Sequence, residues 1–155
     1  MNVLYCGDKN IEDGLIISVL SLLKNVNTNI NVYVLTINSN EWKIDGVTDK
    51  CIEVLDEKMK LINKENGIKK IDITEIFEKE VPDQNMKTRF TPCCMLRLFA
   101  DEIPEIPDKI LYLDNDVICR KDCQEFYNQD MEKYEIARIF RLLWKMVFQK
   151  QKNQI

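Results

Sequence analysis

A short apolar run, Asn2-Val-Leu-Tyr-Cys6, is followed by a polar turn and then by an apolar-rich stretch of helix length at 13–25, and the alternation repeats down the chain. The β-branched run Asn31-Val-Tyr-Val-Leu-Thr36 reads as a second strand, 48–66 as a second helix closed by Gly67, and 68–73 as a third strand. Parallel neighbouring strands need a long crossover, and the helix-length segments between these strands supply one. The order therefore predicts an α/β fold, with a mixed, mainly parallel sheet carrying helices on its faces.

Further along, 81–89 is polar and contains Pro82, the pattern of a loop, and 92–101 resumes helical character with Pro92 as a first-turn proline. Pro104 and Pro107 bracket a connector. Lys109-Ile-Leu-Tyr-Leu113 is then a continuous apolar strand that delivers Asp114-Asn115-Asp116 at its carboxyl end, with Val117-Ile118-Cys119 directly after. Tyr33, Phe99 and Tyr112 lie within apolar runs and are expected in the core, whereas Asp101, Glu102 and Glu105 read as a solvated loop.

A length of 155 residues fits one ordinary domain, and 45% hydrophobic with 31% charged residues is a globular balance. The net charge of −4 offers no basic surface to phosphate backbones, so no nucleic-acid partner is expected. The apolar run 15–23 follows Glu12 and Asp13 rather than a basic leader and is too short to span a bilayer, so the sequence reads as cytoplasmic. Six cysteines form no C-x-x-C pair and there is no His to complete a mixed zinc site; reduced thiols packed as small hydrophobes are expected.

In open α/β sheets ligands gather at the carboxyl ends of the strands, which is where Asp114 and Asp116 fall. Two carboxylates there can converge on a hard cation, Mg²⁺ or Mn²⁺, whose other positions go to water and phosphate. The same acids could instead be solvated turn residues or ion-pair partners. Leu113-Asp-Asn-Asp-Val117 also fits the strand and D-x-D-x-V of a haloacid-dehalogenase-type phosphatase, but that fold begins with this motif and needs later acids and a Lys, and only 39 residues follow Asp116.

Taken in order, Tyr5-Cys-Gly-Asp8-Lys-Asn10, Thr91-Pro-Cys-Cys-Met-Leu-Arg97-Leu98 and Lys109-Ile-Leu-Tyr-Leu-Asp-Asn-Asp-Val117 resemble the successive motifs of glycosyltransferase family 8. The resemblance covers about 1–137. It implies a GT-A-like (Rossmann-like) nucleotide-sugar-binding domain and retention of anomeric configuration. It also implies transfer of a hexose from a UDP-sugar to a carbohydrate or lipid-linked glycan acceptor, as in bacterial members that build lipopolysaccharide. Carried over by position, Asp8 reads the uracil edge, Asn10 supports the nucleoside, and Cys6, Gly7 and Asn115 line the nucleotide. Arg97 reaches the donor sugar or diphosphate, and Asp114 and Asp116 hold Mn²⁺ or Mg²⁺. On the residues alone, Asp8 could equally be a turn residue and Arg97 a structural ion-pair partner. Many relatives place an aromatic ring where Ile11 stands, and full-length relatives continue into an acceptor-binding half and a C-terminal His that completes the metal shell. A chain without these could also be a non-catalytic, nucleotide-sugar-binding fragment.

Residues 138–155 differ in character. Arg138, Arg141, Lys145, Lys150 and Lys152 stand there with no acid, which leaves 1–137 at −9. Phe140, Leu143, Trp144, Val147 and Phe148 recur at three- and four-residue spacing, the pattern of a basic amphipathic helix. Such a tail could make peripheral contact with the inner membrane face, dock on a partner, or cover a sheet edge.

Overall fold

The structure, a computed structural model, describes residues 1–80 and 92–131 with their side chains, and the backbone of 136–138 and 145–149. The expected loop at 81–89 lies outside the described residues.

Strands β1 (Asn2–Cys6), β2 (Asn31–Thr36), β3 (Gly67–Asp72) and β4 (Lys109–Leu113) are mutually parallel, with β1 between β2 and β4. Two further strands, β5 (Ile136–Arg138) and β6 (Lys145–Gln149), extend the sheet beyond β4 in antiparallel pairing, giving the order β3-β2-β1-β4-β6-β5. Helices α1 (Glu12–Asn25), α2 (Asp49–Ile62), α3 (Thr74–Glu80) and the short α4 (Gln124–Tyr127) flank it, together with 3₁₀ turns at Lys9–Ile11 and Pro92–Phe99. The α/β reading with a mixed, mainly parallel sheet is the fold observed.

Strand alternation divides the core into two layers. Val3, Tyr5, Val32, Val34, Leu111 and Leu113 face α1 and α2, while Leu4, Leu35, Ile110 and Tyr112 face α3 and the Pro92–Phe99 turn. Each aliphatic side chain enclosed this way contributes about 1.5–3 kcal/mol of burial. β1 is apolar on both faces because both are covered, as expected for a central strand of a parallel sheet.

Helix α2 begins where its cap is. Thr48 is extended, and its hydroxyl accepts from the Cys51 amide at 3.2 Å. The helix stops at Ile62, short of the expected 66, because asparagine side chains take over the chain's hydrogen bonding there. The Asn63 amide oxygen accepts from the Glu65 N–H at 2.9 Å, and buried Asn66 accepts from Ile30 N–H and donates to the Met59 carbonyl.

The expected helix in the tail is corrected at 145–149, where the chain is a strand registered on β4 from Lys109↔Gln149 to Leu113↔Lys145. Pairing with β1 on one side leaves the other flank of β4 open, and an open flank is a row of unpaired N–H and C=O groups that a strand satisfies and a helix cannot. Of the readings for the tail, cover of a sheet edge is the one realised at these residues. The membrane-lying helix loses its basis there, while 139–144 and 150–155 lie outside the described residues. No helix among the described residues is long and apolar enough to cross a membrane.

Candidate functional site

The loop after β1 is built on Gly7 and Asp8. The Gly7 N–H donates to the Leu35 carbonyl at the end of β2, and a Cβ on Gly7 would lie 2.6 Å from Ile11 Cγ2, so the missing side chain lets Ile11 fold back over the backbone. Asp8 caps the following turn, one carboxylate oxygen accepting from the Asn10 N–H at 2.9 Å and the other from Asn10 Nδ2 at 3.1 Å. Asp8 is therefore a turn residue. A carboxylate oxygen has further lone pairs, so capping does not use up its capacity to accept from a ligand. Asn10 is exposed, held against Asp8.

On the adjacent strand the period of two puts Tyr112 on the face of the Pro92–Phe99 turn, and Asp114, two residues on, follows it. The Tyr112 hydroxyl donates to Asp114 Oδ1 at 2.7 Å and accepts from Arg97 Nη1 at 3.2 Å. Arg97 also lies over the Tyr112 ring, 5.2 Å from its centroid, and Nη1 is 4.0 Å from Asp114 Oδ1. At 24% and 34% side-chain exposure the Arg97 and Asp114 charges are partly solvated, so the ion pair alone contributes modestly. The tyrosine bridging them fixes the geometry. Burial pushes the Tyr112 hydroxyl well above its ordinary range, with nearby Cys6 and the Asp114 hydrogen bond in the same sense, so Tyr112 stays a donor at neutral pH.

The thiols report the same neighbourhood. Desolvation raises Cys6, Arg97 opposes, and Asp114, Cys93 and Cys94 reinforce the rise. Cys93 is pushed up to about 12 by burial, with Asp8 as the next cause. Cys6, Arg97, Asp114 and the Cys93-Cys94 pair thus gather at the carboxyl ends of β1 and β4, with Asp8 acting on Cys93. Cys6 and Cys93 are neutral thiols at neutral pH.

After Leu113 the chain turns, with the Val117 N–H donating to the Asp114 carbonyl at 3.1 Å. Asn115 packs on α1: a Cβ on Gly14 would stand 2.7 Å from the Asn115 carbonyl oxygen and 3.1 Å from its Nδ2. Asp116 is exposed. Asp114 and Asp116 are two hard oxygen donors, a set that fits Mg²⁺ or Mn²⁺ with a shell otherwise of water and phosphate. No group of three or more His, Cys, Asp or Glu that could hold a metal ion occurs among the described residues.

Sequence reading missed Gly14 and placed Tyr112 in the core only. Tyr112 is buried as expected, but its hydroxyl serves Asp114. Gly14 gives one sequence signal, a small residue on the helix that directly follows the first loop.

The family model for glycosyl transferase family 8 matches residues 2–154. The chain belongs to this family. The family match continues through 138–154, beyond the motifs that carry the resemblance. Among solved structures, the family 8 chain is similar to galactosyltransferase LgtC in complex with donor and acceptor sugar analogues, with TM-score 0.70 at 17% identity over 96% of this chain and 58% of that one. An active-site mutant of LgtC gives 0.68 at 21% identity, over 89% of this chain and 45% of the other. The glycosyltransferase GlyE of Streptococcus pneumoniae gives 0.58 at 17% identity, over 96% and 34%. The GT-A-like sheet is shared with these glycosyltransferases, and this chain spans about half the length of the LgtC chains. No curated protein sequence matches. Family membership favours sugar transfer over the phosphatase reading of the D-x-D segment.

Proposed function

We propose that this chain is the donor-binding part of a hexosyltransferase that takes a hexose from a UDP-sugar to a carbohydrate or lipid-linked glycan acceptor. The observation that carries the reading is the linked set Arg97, Tyr112 and Asp114 at the carboxyl end of β4, beside the first loop with Asp8. Arg97 offers fixed positive charge and several N–H groups to diphosphate oxygens, while Asp8 can accept from the uracil imide N–H. By the family likeness Asn10 would support the nucleoside, and Cys6, Gly7 and Asn115 would line the nucleotide.

Asp114 and Asp116 would hold Mn²⁺ or Mg²⁺, whose chemistry there would be Lewis-acid stabilisation of negative charge on the UDP leaving group. The Tyr112 hydroxyl donates to Asp114 Oδ1 and so orients that carboxylate.

The decisive measurement is the melting temperature with UDP and Mn²⁺. A ligand at a hundredfold excess over its Kd adds about 2.7 kcal/mol, so a clear upward shift is expected in the wild type and none in Asp116→Ala. No shift with both present defeats the reading. A second reading, donor binding without transfer, is favoured by a donor set of two carboxylates among the described residues. It predicts UDP-hexose binding in calorimetry with no sugar release in any metal.

A further inference from the structure

Helix α1 carries a polar and small stripe, Gly14, Ser18, Ser21 and Asn25, at spacings of four, three and four, which puts all of them on one helix face. That face meets the segment that follows the candidate metal-binding turn. Ser18, buried at 1% exposure, donates through Oγ to the Val117 carbonyl at 2.6 Å. Ser21 Oγ accepts from the Cys119 N–H at 2.8 Å, and Asn25 Nδ2 donates to the Cys119 carbonyl at 2.9 Å. Gly14 leaves room for the Asn115 carbonyl. The β4–β1 pairing registers Leu111 and Tyr112 and goes no further. Beyond the strand end, side chains of α1 therefore supply the hydrogen bonds that a neighbouring strand would otherwise give.

We propose that Ser18, Ser21 and Asn25 are positioning residues for the Asp114–Asn115–Asp116 turn. Asp114 is fixed from one side by Tyr112. Asp116 is exposed, and its place is set by the backbone on either side of it: the 114–117 turn before and the 117–119 segment clasped to α1 after. Releasing the Val117 carbonyl from Ser18 frees the second anchor without touching either carboxylate. The consequence is a loss of convergence between Asp114 and Asp116, read as a loss of the metal's contribution to nucleotide binding.

This rests on the proposed metal and UDP site. The test is UDP affinity by calorimetry, with and without Mn²⁺, in wild type, Ser18→Ala and Asn66→Ala. Asn66 is a comparable buried polar clasp, holding Ile30 N–H and the Met59 carbonyl beside the amino end of β3, away from the turn. The expected result is that Ser18→Ala loses about tenfold of the Mn²⁺-dependent enhancement while its metal-free UDP affinity is unchanged, and that Asn66→Ala keeps the enhancement. If Ser18→Ala does not fold, Ser21→Ala, which frees the Cys119 N–H at a half-buried position, is measured in its place with the same expectation. Full enhancement retained in the serine variant overturns the proposal alone, as does an equal loss in Asn66→Ala. Absence of any Mn²⁺ enhancement in the wild type overturns the metal reading and the proposal with it.

Discussion

Tyr112 and Asp114 are joined by a 2.7 Å hydrogen bond from the phenol to the carboxylate, Tyr112 on β4 and Asp114 just past its carboxyl end. Tyr112→Phe keeps the buried ring and removes this bond together with the one from Arg97. A hydrogen bond to a charged group contributes about 1.5–3 kcal/mol, so UDP affinity in Mn²⁺ is expected to fall about tenfold with a smaller loss of thermal stability. Calorimetry on the two proteins checks it; equal affinities would show that Arg97 and Asp114 hold their places without the phenol.

Gly14→Ala sets two effects against each other. Alanine in a helix interior is favoured over glycine by about 1 kcal/mol. The new methyl would meet the Asn115 carbonyl oxygen at 2.7 Å, a backbone atom that cannot rotate away. Forced repacking costs about 1–3 kcal/mol, so a net loss of stability and weaker Mn²⁺-dependent UDP binding are expected, seen as a lower urea midpoint and a higher Kd.

Thr48→Ala removes the cap of α2 and should cost about 1 kcal/mol of stability. UDP binding is expected to be unchanged once the protein is folded, because alanine keeps the backbone N–H that donates to Glu12 at the start of α1 at 2.7 Å. A binding defect in this variant would tie α2 to the site.

Alkaline pH should destabilise the fold. Burial pushes Cys51 up to about 11 and Cys93 up to about 12 from an ordinary 9.0, and it raises Cys6, Tyr5 and Tyr112 in the same direction. The folded state holds these protons while the unfolded chain releases them. Stability is therefore complete below about pH 9 and is lost as pH climbs toward 11 and 12, at a limiting slope of about 1.4 kcal/mol per pH unit for each thiol in that window. Urea midpoints between pH 7 and 11 should stay level and then fall; a flat profile to pH 11 would contradict the burial of these groups.

Strands β1, β2 and β4 were readable to the residue because an apolar run covered on both faces has few alternatives. Helix α2 ended early since Asn63 and Asn66 offer side-chain partners to the backbone, a local effect that hydrophobic spacing does not register. Within 138–149 a helical spacing of Phe140, Trp144 and Phe148 competes with strand pairing, and at 145–149 the open flank of β4 decides in favour of pairing. Arg97 and Asp114, carried by separate sequence motifs, stand 4.0 Å apart. The Ser18 and Ser21 contacts were not legible, because each closes a sequence gap that spacing alone cannot, Ser18 and Val117 lying 99 residues apart; the Tyr112 contact with Asp114 is local, but an apolar run marks the ring as core and says nothing of its hydroxyl.

With β4 flanked by β1 and β6, the strand that presents Asp114 has no free border. Among the described strands, β3 and β5 are the outer margins that intermolecular strand addition can reach. On β3, Lys69 and Lys70 are paired with Glu105 and Asp49, which ties the charges of this margin to its own fold. Self-association through the sheet would therefore proceed without occluding the rim where the carboxylates stand.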